Sequence, residues 1–118
     1  MFRRNPKPEP RTLTGVSAVL SASHRDQESG QVHGHTWRIR AWFYFDGTDQ
    51  RHYRSRLDEI VKRHDHTCLP DRIAWGEHLA RYIYNWLNDY TYYTAPQNDC
   101  AKVQVIRTDE DIWAEYPA

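Results

Sequence analysis

At 118 residues and 14.1 kDa the chain is one domain in length, with roughly 6,700 Å² of folded surface expected against roughly 20,400 Å² unfolded, enough burial for a core without staples. Sixteen basic and sixteen acidic side chains cancel, which leaves no global field for nucleic acid or an anionic membrane, and no apolar run approaches the ~20 residues of a membrane helix. Cys68 and Cys100 form no CxxC pair, which excludes a disulfide framework and a thiolate zinc site.

Only 39% of residues are hydrophobic, 14% are aromatic and the mean hydropathy is −0.93, so rings must supply much of the core and subunits are expected to share burial. The start, Met1-Phe-Arg-Arg-Asn-Pro, lacks the apolar centre of a signal peptide, and a cytoplasmic address is the expectation. Residues 1–11 hold three of the six prolines and read as a loose arm ahead of a single domain, 12–118. The arm's Arg3, Arg4, Lys7 and Arg11 are the only hint of nucleic acid, and no such partner is expected.

From Thr12 to His24 the even positions Thr14, Val16, Ala18, Leu20, Ala22 and His24 form one face of a half-buried strand. Arg25 to Gln31 is polar and reads as a loop. Alternation returns over Val32–Phe45, with His33, His35, Trp37, Ile39, Ala41, Phe43 and Phe45 on one face, until Asp46-Gly47 marks a turn. The period then becomes helical. Leu57, Ile60, Val61 and His64 form one stripe, and Leu79, Ala80, Ile83, Trp86, Leu87 and Tyr90 another. A polar turn with Pro96, Asn98 and Asp99 leads to two short strands, about 101–107 and 112–116. The order β-β-α-α-β-β specifies an α+β domain, an antiparallel four-stranded sheet with two helices on one face.

Histidine is the unusual residue, with seven copies. His33 and His35, two apart in a strand, leave the same face with Cα atoms about 6.7 Å apart, which lets two imidazoles converge on one ion at ~2.0–2.1 Å per bond. His24 ends the preceding strand on its own apolar face. Three imidazoles at the open end of one hairpin, with a vacant fourth position, describe a catalytic zinc site. Gly34 between the two histidines permits a close backbone approach. His52 and His78 read as solvated, His64 as a helix-face residue.

Ala22-Ser-His-Arg25, His33-Gly-His-Thr-Trp-Arg-Ile39, Asp65-His66 with Leu69, and Thr108-Asp109 with Ile112 and Tyr116 resemble the 6-pyruvoyl-tetrahydropterin synthase family, which includes the 6-carboxytetrahydropterin synthases. The resemblance runs from about residue 14 to the end. It implies a tunnelling fold, in which subunits join sheets into a barrel and form a homo-oligomer, a hexamer or trimer, with active sites between subunits. It implies Zn2+ on His24, His33 and His35. It also implies a pterin-like small-molecule substrate, 7,8-dihydroneopterin triphosphate or a relative, with Asp65 and His66 as a proton relay.

Three positions depart from the family pattern. Ser29 stands where the family cysteine is usual, and a hydroxyl is a far poorer base than a thiol near pKa 8.5; Glu28 next door is the substitute the loop offers, and Cys68 another. Arg107 replaces the pterin-anchoring glutamate, on the same parity as Val103 and Val105. A guanidinium only donates, so the ligand either binds differently or offers an acceptor edge, unless Arg107 pairs with Glu77 or Glu110. Trp75-Gly76 replaces a threonine pair, with Glu77 retained, and Trp75 is able to stack on a flat heterocycle. The expected function is a zinc-dependent lyase of this family with catalytic Asp65, His66, Glu28 and Ser29 and substrate contacts from Arg107, Glu77 and Trp75. The alternative is a zinc-binding paralogue, catalytically inactive or of altered specificity, that binds a small heterocycle or a protein partner.

Overall fold

The computed structural model describes residues 11–26, 28–89 and 98–118. The expected arm up to Pro10, and the expected roles of Tyr90 and Pro96, lie outside the described residues. The elements follow the order read from the sequence: β1 (Leu13–Arg25), β2 (Val32–Tyr44), α1 (Gln50–His64), a single 3-10 turn (Asp71–Ile73), α2 (Gly76–Asp89), β3 (Cys100–Arg107) and β4 (Ile112–Tyr116). The four strands form one antiparallel sheet in the order β1-β2-β3-β4.

The long hairpin forms because each strand has one face to bury. Leu20, Ala22 and His24 of β1 and Trp37, Ile39, Ala41 and Phe43 of β2 are buried, while Arg38, Arg40 and Tyr44 stay exposed. Thirteen consecutive pairs run without a slip from Leu13 opposite Tyr44 to Arg25 opposite Val32. Beyond the last pair the chain turns through Gly30, whose φ of +72° lies in the left-handed region that favours glycine.

The helices cover the buried face. Asp49 caps α1 by accepting the Arg51 N–H at 2.9 Å, and Lys62, Arg63 and His64 in its last turn suit the negative end of the helix dipole. Tyr53, Leu57, Ile60 and Val61 face the sheet from α1, and Leu79, Ala80, Ile83, Trp86 and Leu87 from α2. A charged clamp closes the layer: Arg56 is 7% exposed, spans Asp99 with bonds of 2.8 and 3.0 Å and donates to the Leu87 carbonyl at 2.7 Å. The stem that follows α1 lies along the outer edge of β1. Ser23 donates to the Thr67 carbonyl at 2.9 Å, Leu69 donates back to the Ser23 carbonyl at 2.7 Å, and the Asp65 carboxylate accepts the Ser21 N–H at 2.9 Å. That strap fixes Asp65-His66 beside the histidine end of the hairpin.

Candidate functional site

The full register of the hairpin decides where the histidines go. His24 stands directly opposite His33, and Ala22 opposite His35, so the three imidazoles gather at the loop end of the hairpin and not at its open end. The His24 and His35 rings are 4.7 Å apart at 65°, and the His33 and His35 rings 6.5 Å apart. His24 is 5% exposed and its Nδ1 has no hydrogen-bond partner. Burial, the neighbouring His35, Arg107 and then His33 hold its pKa below the ordinary imidazole value, which keeps it in the neutral form that ligates metals. A buried imidazole left without a partner is costly unless something accepts its lone pair or N–H, and a metal ion fits that need. The close approach expected at Gly34 is not there, because a Cβ at that position would meet nothing within 4 Å.

Two tryptophans flank the site. Trp37, in the core, is edge-on to both His24 and His35, at 6.1 and 5.5 Å, and Trp75, half in solvent, is edge-on to His24 at 5.5 Å. The position of Trp75 follows from the 3-10 turn and the start of α2, which bring it back over the end of β1.

From β3, Arg107 reaches the same place. Its Nη2 lies 2.9 Å from His35 Nε2, 3.2 Å from His35 Nδ1 and 2.9 Å from Glu110 Oε1. Of the two partners open to it in the sequence, Glu110 is therefore the one it takes. Asp109 Oδ2 sits 3.2 Å from His35 Nδ1. Among the described residues, the cluster whose donor atoms all lie within 4.8 Å of one another is His35, Asp109 and Glu110; the three-histidine set does not reach that spacing. Asp109 enters the sequence reading only through the Thr108-Asp109 resemblance and Glu110 only as one of two partners open to Arg107, neither as a metal-ligand candidate. The signal that points to them is Arg107 on the buried parity, immediately before an acidic run.

A cavity of about 530 Å³ opens beside this cluster, lined by Ser21, Gly34, His35, His66, Thr108 and Asp109 among others. His66 is reached by a left-handed backbone turn, φ +58°, and its Nε2 is 3.4 Å from Asp65 Oδ2. The remaining sequence-predicted residues stand apart. Glu28 and Ser29 are exposed in the hairpin loop, their N–H groups donating to Asp26 Oδ1 at 2.8 and 3.4 Å, and Ser29 Oγ accepts the Gln31 N–H at 3.2 Å. Glu77 is exposed in the first turn of α2. Cys68 is exposed, while Cys100 is buried with its thiol pushed up to about 12 by desolvation.

The fold has a known counterpart. The structure of Caenorhabditis elegans 6-pyruvoyl tetrahydropterin synthase superposes with a TM-score of 0.72 at 16% sequence identity, covering 100% of this chain and 99% of that one. The likeness at that identity is one of fold, and it bears out the expected tunnelling-fold layout. No curated protein matches the chain by sequence. The sequence model of 6-pyruvoyl tetrahydropterin synthase matches residues 16–118, from the fourth residue of β1 to the last residue. On that span, the chain belongs to the 6-pyruvoyl tetrahydropterin synthase family.

Proposed function

We propose that the chain is a zinc-dependent, tetrahydropterin-synthase-like lyase acting on a dihydroneopterin-triphosphate-like pterin. The observation that carries the reading is His24 and His33 directly opposite in the hairpin with the His35 ring 4.7 Å from that of His24 at 65°, His35 and His66 lining one cavity. His24, His33 and His35 would hold the metal, which when bound supplies Lewis acidity toward substrate oxygens.

The chain's own residues do the rest. Asp65, held by the Ser21 N–H, orients His66, whose imidazole is the proton carrier of the pair. Trp75 presents a ring to a flat heterocycle entering beside His24. Arg107 and Glu77 contact the ligand, Arg107 as a donor to an acceptor edge. Glu28 or Ser29 occupies the position of the missing base, reaching the site only if the hairpin loop moves from its Asp26-centred turn. The edge of β1 ahead of the strap at Ser21–Ser23 and the outer edge of β4, with Val19 (48%) and Trp113 (61%) exposed on those strands, support assembly into a homo-oligomer, since open strand edges invite further strands. Light scattering should give a mass well above 14.1 kDa.

A second reading is binding of a heterocycle without turnover, and the observation favouring it is that Ser29 Oγ is engaged within its loop and does not line the cavity. One assay separates the two. Zinc-loaded protein is incubated with 7,8-dihydroneopterin triphosphate, and pterin products are followed by chromatography. Turnover that disappears in Asp65→Asn supports the lyase. Binding with no turnover supports the paralogue.

A further inference from the structure

The strongest unassigned feature is the cation lodged in the histidine cluster. A single Arg107 nitrogen lies within 3.2 Å of both ring nitrogens of His35. Those two nitrogens direct their in-plane bonding positions away from each other, so one donor at that range lies along neither axis. It sits against the face of the ring, where a guanidinium is attracted by the π-system. Asp109 Oδ2 takes the Nδ1 side at 3.2 Å, so the in-plane position that remains for a metal on His35 is at Nε2, with a full positive charge beside it.

We propose that Arg107 is a built-in counter-cation that weakens metal binding at this site, with Glu110 as the acceptor that holds it back. The inference rests on the metal centre proposed above. A metal bonded at ~2.1 Å to either nitrogen of His35 falls within roughly 5 Å of Arg107 Nη2 whatever its direction. A dication and a guanidinium that close repel strongly at the effective dielectric of a half-buried site. The other charges nearby act the opposite way: Asp109 at 3.2 Å from His35 and Glu110 at 2.9 Å from Arg107 favour a cation. Arg107 already engages Glu110, so its charge both repels the metal and occupies a carboxylate whose oxygen lies within 4.8 Å of the His35 and Asp109 donor atoms. Losing the guanidinium removes the repulsion and frees that carboxylate at once. Arg107 Nε is buried without a partner, so the arginine is not held in place by a completed set of bonds.

The test is zinc affinity, measured by competition against a chromophoric chelator, with folding of each variant checked by circular dichroism. Arg107→Gln should bind at least tenfold tighter than wild type, and Arg107→Lys, which keeps the charge, should stay within about threefold of it. Glu110→Gln should bind at least threefold weaker, because the guanidinium is then uncompensated; this opposite sign keeps the inference falsifiable if Arg107→Gln does not fold. Wild-type binding that is lost in His35→Ala but unchanged or weakened by Arg107→Gln, or unchanged by Glu110→Gln, overturns the counter-cation and leaves the metal centre standing. No binding by wild type, or binding that survives His35→Ala, brings down the metal centre and this inference with it.

Discussion

The Arg56–Asp99 clamp offers a severe test of how the layer beneath the site is held. Asp99→Asn keeps the side-chain shape and removes the charge. The guanidinium of Arg56 then remains buried against Phe43, its carbon 5.0 Å from the ring centroid, with the Leu87 carbonyl as its remaining strong acceptor. Breaking a buried ion pair from one side costs ~3–5 kcal/mol. The Asp99 side chain is 19% exposed and its amide replacement can still accept one bond, which places the expectation at the lower end, about 3 kcal/mol. For a chain of this size that loss lowers the thermal midpoint by about 10–15 °C. Thermal and urea unfolding followed by circular dichroism read both quantities. A loss below about 1 kcal/mol, with the urea slope unchanged, would mean that water already reaches the pair and that the clamp does not hold α1, α2 and the start of β3 together.

Three further outcomes follow from particular side chains. Native protein alkylated at pH 8 should take one label, on exposed Cys68, and a second only after unfolding, because burial pushes the Cys100 thiol up to about 12; rapid double labelling in the folded state would contradict this. His64 is held below its ordinary value by burial, then by Arg63 and Arg72, and its Nε2 lies 3.0 Å from the Tyr82 hydroxyl. The fold therefore prefers the neutral ring, so His64 contributes stability that is complete above about pH 6.5 and is lost as pH falls below it. In metal-stripped protein the decline in thermal midpoint from pH 7 to 5 should be shallower in His64→Gln, and an identical decline would refute the assignment. Trp37→Ala should cost ~3–5 kcal/mol by leaving a cavity under His24 and His35, whereas Trp37→Phe should cost much less, since the indole N–H is buried without a partner; equal costs in urea unfolding would contradict that reading.

The hairpin and both helices are legible in the sequence because each has one buried face, and a one-residue slip between β1 and β2 would have turned Leu20 and Ile39 outward. The same parity makes the gathering of His24, His33 and His35 readable, and so does the end they occupy, because the loop Arg25–Gln31 separates His24 from His33; the expected open end mistakes that connection, which Gly30 and the Asp26 side chain close. Contacts made across the chain are less readable. Nothing in Asp65-His-Thr-Cys-Leu69 alternates for long enough to announce its pairing with the edge of β1, and Trp75 reaches His24 only after the 3-10 turn redirects the chain. Arg107 falls on the inward parity of β3, but parity does not say that a guanidinium will lie against the His35 ring with Glu110 behind it. Local rules give faces; the choice among several oppositely charged partners is made by packing.

The central claim is that three imidazoles at the hairpin's loop end hold a metal ion. Elemental analysis of protein purified without chelators or metal-affinity tags measures it directly. The account predicts close to one zinc per chain in wild type and almost none in the His24→Ala, His33→Ala and His35→Ala variants, each of which should remain folded. Wild-type protein without stoichiometric metal even after incubation with zinc, or variants that retain it, would contradict the claim.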